Sequence, residues 1–214
     1  MQIAIPLFDR FTALDAVGPY EVLHNLPDAE VTFVAAEAGP VTADSGVLTL
    51  VATRSLAETT STDVLVVPGG PGTRQMMQDE QLVDWVRAID GTTTWTTSVC
   101  TGSLVLGAAG LLDGVDASTH WSCVDLLEST GATYTPERVV VRDKVITAAG
   151  VSSGIDMALT LAGLIAGDQV AEAIQLGIEY DPQPPYDSGS VAKADPAIVE
   201  LVRALSTEAE PSTA

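Results

Sequence analysis

The sequence predicts a doubly wound α/β sandwich with a mostly parallel central sheet. Short runs rich in Val, Ile and Leu recur along the chain, with segments of helical apolar spacing between them. Strands alternating with helices are the pattern of parallel βαβ units. At 214 residues the chain is long enough for one domain with a well-buried core and short for two. No internal repeat or interdomain linker interrupts it, so one domain is expected over 1–205 and a frayed tail over 206–214.

QIAIPLF (Gln2 to Phe8) reads as a buried strand. LDAVGPYEVLHNL follows as a helix expected to begin near Gly18 and Pro19, because Pro suits a first helical turn. EVTFVAA (Glu30 to Ala36) and GVLTLVA (Gly46 to Ala52) are the next strand candidates. DVLVVPGGPG (Asp63 to Gly72) is a strong strand ending in a Pro/Gly turn. From Asp79 to Ile89, Leu82, Val83, Val86 and Ile89 share one side of a helix. TTTWTTSV (Thr92 to Val99) is β-rich in Thr and Val and leads into a Cys100 turn and a helix to about Ala109. HWSCVDLLEST reads as helical, and RVVVRD and KVITAAG as strands around a turn. SSGIDMALTLAGLIAG is a helix with serine capping signals, and DQVAEAIQLGIEY is another. DPQPPYDSGS (Asp181 to Ser190) reads as a loop.

Composition narrows the partners. The formal net charge is -20, from 29 acidic and 9 basic residues, only two of them lysine. Such a surface repels nucleic acid and anionic membranes. It also repels itself, and screening over a Debye length of about 3 Å at 1 M salt relieves that. The expectation is a protein of a salt-loving organism; an ordinary acidic mesophile protein is the alternative. No apolar run reaches the length of a membrane span, and the N-terminus lacks the marks of a signal peptide. Two cysteines, Cys100 and Cys123, make no disulfide framework, so a cytoplasmic location is expected.

Three features fall at carboxyl ends of strands, where open α/β sheets bind ligands. Cys100 lies between a strand and a helix, a place for an exposed nucleophile activated by the helix N-terminus, or for a small core residue. Pro68 to Gly72 is either a tight turn or a loop whose Gly69 and Gly70 N–H groups form an oxyanion-type pocket with Thr101 N–H. Asp15 is either a helix cap or a carboxyl that shares a proton with the thiol. His120 is a base for Cys100 only if the fold orients it there. Cys123 shares a helix face with Leu126 and Leu127 and reads as core. No Cys/His cluster has zinc spacing.

LDAVGP, VVPGGPG, SVCTGSLVLGAAGLLDG, STHW and AAGVSSGIDMALTLA, in this order, resemble the ThiJ/PfpI superfamily, which is class I glutamine amidotransferase-like, over residues 2 to 190. SVCTGSLVLGAAGLL, with THW and EYDPQPPYDSGS after it, is most similar to the isocyanide hydratase branch. The resemblance implies a flavodoxin-like three-layer sandwich with a nucleophile elbow. It implies Cys100 as nucleophile, Asp15 as general acid/base, Thr101 as a residue orienting substrate or water, and Gly69 and Gly70 as pocket lining. The implied reaction hydrates isocyanides to N-substituted formamides without metal or organic cofactor. A small-molecule substrate and a homodimer are the implied partners. Thr101 stands where the peptidase-like branch has His. Asp15 stands where glyoxalase and deglycase-like branches have Glu. His120 matches a histidine of several branches and in the hydratase branch is structural. Regulators of the AraC type carry a similar domain fused to a helix-turn-helix; none is expected here, and the net charge of -20 suits DNA poorly. A glyoxalase, deglycase or amidase-like enzyme, and a redox- or ligand-sensing member without activity, are the alternatives.

Overall fold

The computed structural model describes residues 1–208. It contains β1 (Gln2–Pro6), α1 (Ala13–Leu23), β2 (Glu30–Ala35), β3 (Gly39–Thr42), β4 (Thr49–Ala52), β5 (Arg54–Ser55) and β6 (Val64–Val67). Next come α2 (Thr73–Met76), α3 (Glu80–Asp90), β7 (Trp95–Val99), α4 (Gly102–Ala108), β8 (Asp116–Ala117) and α5 (Val124–Glu128). They are followed by β9 (Thr133–Tyr134), β10 (Val139–Arg142), β11 (Val145–Ala148), α6 (Ser153–Ala166), α7 (Asp168–Gly177) and α8 (Pro196–Glu208). The chain divides into two compact units, Met1–Ile178 and Glu179–Ala214.

The first unit is built on a seven-stranded sheet ordered β10-β11-β7-β6-β1-β2-β5. Every neighbouring pair is parallel except β10 and β11. All four residues of β6 are buried, as a strand covered on both faces requires. Alternation along β7 assigns the two helical layers. Thr96 faces α3, where its hydroxyl reaches Asp90 Oδ1 at 2.6 Å. Val99, of opposite parity, packs at Gly154 of α6. The expected α/β sandwich with a mostly parallel sheet is therefore present. The chain runs from β1 outward through β2 to β5 and then crosses to β6 on the other side of β1, which opens a crevice at the carboxyl ends of these strands.

Several elements differ from expectation. Helix α1 begins at Ala13, with Pro19 inside it rather than at its start. Proline in a helix interior forfeits a hydrogen bond, but Pro19 is buried and its ring lies over Gly154, so packing against α6 outweighs the local cost. The expected strand from Gly46 shortens to Thr49–Ala52 and pairs with β3 in a hairpin outside the main sheet. Ser152 is the N-cap residue of α6 without capping it; its hydroxyl accepts from Arg138 Nη2 at 3.2 Å.

In the second unit, Asp181 to Ser190 holds no helix or strand, as expected of a loop. Helix α8 was not expected. It places Ile198, Leu201, Val202 and Leu205 at helical spacing, and all four are exposed. The expected tail overlaps its last turn, and 209–214 lie outside the described residues. No helix among the described residues is long and apolar enough to cross a membrane.

Candidate active site

Cys100 follows β7 with φ +57°, a left-handed conformation uncommon for a side chain with a Cβ. Several bonds hold this elbow. Cys100 N donates to Ala148 O at 3.1 Å and Ala149 O at 3.0 Å. Its carbonyl accepts from Ser103 Oγ at 3.1 Å and from Thr119 Oγ1 at 3.2 Å. Backbone strain over-determined by its surroundings is a mark of functional sites. The turn also requires close approach: a Cβ on Gly102 would lie 2.1 Å from Val67 O. The thiol is buried and receives backbone N–H groups from Thr101 and Val151. Burial pushes its pKa well up, and the negative charge of Asp15 pushes it further.

Asp15 lies in the first turn of α1 and is fully buried. It does not cap its own helix. Its Oδ2 accepts from Gly69 N at 3.0 Å. Burial chiefly, and secondarily the charge of Asp44, raise its pKa from 3.8 to about 7, against the bonds from Gly69 and Cys100 that favour the anion. The thiol and the carboxyl thus meet, while Oδ1 keeps no conventional hydrogen-bond partner. A carboxyl that titrates near neutrality beside a nucleophile suits general acid/base work.

The glycine loop serves this pair. A Cβ on Gly69 would lie 2.5 Å from Thr101 N and 2.9 Å from Asp15 Oδ2. Gly70 N donates to Thr101 Oγ1 at 2.9 Å. Both N–H groups expected to line an oxyanion pocket are therefore engaged with Asp15 and Thr101. The Thr101 hydroxyl also meets Thr73 Oγ1 at 3.0 Å. Among the described residues no group of three or more His, Cys, Asp and Glu is placed to hold a metal ion.

Comparison with known proteins agrees with this architecture. The model of the DJ-1/PfpI family matches residues 1–163. The chain belongs to the DJ-1/PfpI family. A relative in this family is the isonitrile hydratase of Pseudomonas putida, 45% identical over 203 residues that cover 95% of this chain and 89% of that one. A ThiJ/PfpI family protein of Pseudomonas syringae superimposes with a TM-score of 0.91 at 38% identity, covering 97% of this chain and 88% of that one. DJ-1beta of Drosophila melanogaster shares the fold, with a TM-score of 0.77 at 20% identity over 85% of this chain and 98% of its own.

In this DJ-1/PfpI chain the Nδ1 side of His120 is turned to Ser122, and its Cδ2 edge lies against Gly150. It is the N-cap of a short 3-10 helix, Trp121–Cys123. Its Nδ1 meets Ser122 Oγ at 2.8 Å and accepts from Ser122 N at 3.3 Å. A ring nitrogen that accepts a backbone N–H is unprotonated, and burial lowers the His120 pKa accordingly. The groups that perturb the Cys100 thiol are Asp15, Val151, Thr101 and Cys123, and His120 is not among them. Cys123 is buried, as a core reading expected, with Ser122 Oγ 3.7 Å from its sulfur. The sequence reading missed Val151, which has a φ of +25° and whose N–H meets the thiol. It also missed Thr73, Thr119 and Asp44. Thr119 lies in the STHW motif, but the local sequence of Thr73 and Asp44 carries no signal; only the contacts of the folded chain single them out.

Proposed function

We propose that this protein hydrates isocyanides to N-substituted formamides, with Cys100 as nucleophile and Asp15 as general acid/base. The observation that carries the reading is the buried pairing of the Cys100 thiol with the Asp15 carboxyl while His120 bonds to Ser122 instead. The 45% identity to an isonitrile hydratase supports the choice of substrate. The thiol is protonated at rest, because burial and Asp15 both oppose its ionisation. Asp15 takes the thiol proton as sulfur bonds to the terminal carbon of R–NC, and delivers that proton to the same carbon. The product is a thioimidate, R–N=CH–S–Cys100. Asp15 then removes a proton from water as the water oxygen adds to this carbon, and nitrogen is protonated. The C–S bond breaks, the sulfur recovers a proton, and R–NH–CHO leaves. One water is consumed, oxidation states are unchanged, and neither step calls for a metal or an organic cofactor. Thr101, held by Gly70 and Thr73, orients water or substrate beside the thiol. The protein acts as a cytoplasmic homodimer on a small-molecule substrate.

The test is formamide release from an alkyl isocyanide by the purified protein. Turnover is expected, with a loss of about 1,000-fold or more in Cys100→Ser and substantial retention in His120→Ala. Lactate formation from methylglyoxal without isocyanide turnover overturns the reading in favour of a glyoxalase. Absence of both turnovers, with ready oxidation of Cys100, favours a redox-sensing member.

A further inference from the structure

The hairpin β3–β4 lies outside the central sheet, yet the end of β3 is built into the approach to α1. Arg10 N donates to Thr42 O at 3.1 Å and Asp44 N to Phe11 O at 2.9 Å. Phe11 and Ala43 form a parallel bridge. Thr12 is the N-cap residue of α1, but its side chain makes no capping bond. A threonine hydroxyl in that place ordinarily bonds its own first turn for about 1 kcal/mol. Here it donates to Asp44 Oδ2 at 2.6 Å. The backbone of Thr12 is committed at the same time to the site. Its N donates to Gly69 O at 2.8 Å, and its O accepts from Asp15 N at 3.0 Å. One residue thus ties the hairpin, the glycine loop and the turn that carries Asp15.

We propose that Asp44 is a positioning residue for the Asp15–Cys100 pair: it holds the Thr12 hydroxyl and thereby the first turn of α1 that carries Asp15. The inference rests on the proposed chemistry of that pair. Diversion of a cap hydroxyl is a local loss for the helix, and such departures from local rules gather at functional sites. The charge of Asp44 opposes a second negative charge at Asp15, in the same direction as burial. Gly69 N–H from the loop and the positive end of α1 act in the opposite sense. Cys100 faces the carboxyl from the elbow. On α6, which packs against α1, Asp156 is paired with Arg138. Asp44 is exposed, so its charge is open to screening while its hydrogen bond to Thr12 is not removed by salt.

Asp44→Asn keeps an acceptor for Thr12 and drops the charge; Asp44→Ala drops both. In a Cys123→Ser background, where Cys100 is the reacting thiol, the pH dependence of alkylation by iodoacetamide reports the pair without any substrate. The inflection due to Asp15 is identified by its absence in Asp15→Asn. It is expected to move to lower pH by about half a unit in Asp44→Asn at 0.1 M salt. The movement shrinks in 2 M KCl. With an alkyl isocyanide, Asp44→Ala is expected to lower kcat by about 10-fold with KM nearly unchanged. Thr12→Val reproduces that kcat loss without the pH movement, and it carries the test if Asp44→Ala fails to fold. Alkylation and turnover profiles of both Asp44 variants that superimpose on the parent's overturn the proposal. If the parent turns over no isocyanide but the alkylation inflection still moves, the hydratase reading fails and the positioning role stands.

Discussion

Burial disfavours the charge of both Asp15 and Cys100; the Asp15 carboxylate further opposes ionisation of the thiol, while the bond from Cys100 favours the Asp15 anion. Burying the Asp15 carboxyl therefore carries a cost in stability that has a definite pH signature. In the unfolded chain Asp15 ionises near its ordinary value of 3.8, and in the fold near about 7. Between these values the folded chain keeps a proton that the unfolded chain has released. Stability therefore falls as pH rises through this window and stays reduced above it. At 1.36 kcal/mol per pKa unit the penalty is at most about 4 kcal/mol. Asp15→Asn removes it. The variant is predicted to melt above the parent at pH 8, to converge with it near pH 4, and to lose about 10²- to 10⁴-fold in isocyanide turnover. Melting below the parent at both pH values with turnover intact would instead make Asp15 an ordinary structural residue.

Local rules and tertiary packing contribute unequally from one helix to the next. In α3 they agree. Asp79 caps it by accepting from Leu82 N at 2.9 Å, and Leu82, Val83, Val86 and Ile89 are its buried face. Asp79→Ala is predicted to cost about 1 kcal/mol, read as a lower urea midpoint at unchanged slope. Isocyanide turnover should be unaffected, since Asp79 touches none of the site residues. In α1 they disagree. Its cap hydroxyl is diverted to Asp44 and its interior holds Pro19, yet its buried face and contact with α6 keep it helical. The helix that carries the acid/base candidate is thus held in place more by its neighbours than by its own sequence.

At the scale of the whole molecule, charge is the dominant unbalanced term. Nine basic residues cannot neutralise 29 acidic ones. Several cations are spent in short-range pairs, Arg87 with Asp84, Arg142 with Asp116 and Lys144 with Asp90. The remaining carboxylates repel one another through solvent, and salt screens that repulsion more than it weakens the core. The melting temperature is predicted to rise by about 5 °C or more between dilute buffer and 2 M KCl. A flat or falling response would remove the argument for a salt-adapted protein.

Strand runs, the helix face of α3, the Cys100 elbow and the Pro68 to Gly72 turn were readable in the chain, because each is a pattern of neighbouring residues with a local physical cause. Helix α8 was readable in principle: Ile198, Leu201, Val202 and Leu205 follow the helical period after Pro196. Asp15 read as either cap or proton partner in the sequence, and the crossover to β6 set Gly69 beside it, where its carboxyl bonds in place of its own helix end. The same crossover engaged the glycine N–H groups that local reading had left open. His120 was a base or a bystander depending on one side-chain direction, and only the folded chain shows its Nδ1 bonded to Ser122. Asp44 left no mark in its own segment, and Val151, though inside the AAGVSSGIDMALTLA motif, carries no side chain that signals a role for its N–H. Val151 meets Cys100, and Asp44 meets Thr12, across loops whose closure depends on sheet order and packing. Residue pattern can establish which chemical groups a chain owns, but proximity between distant groups is a property of the closed fold.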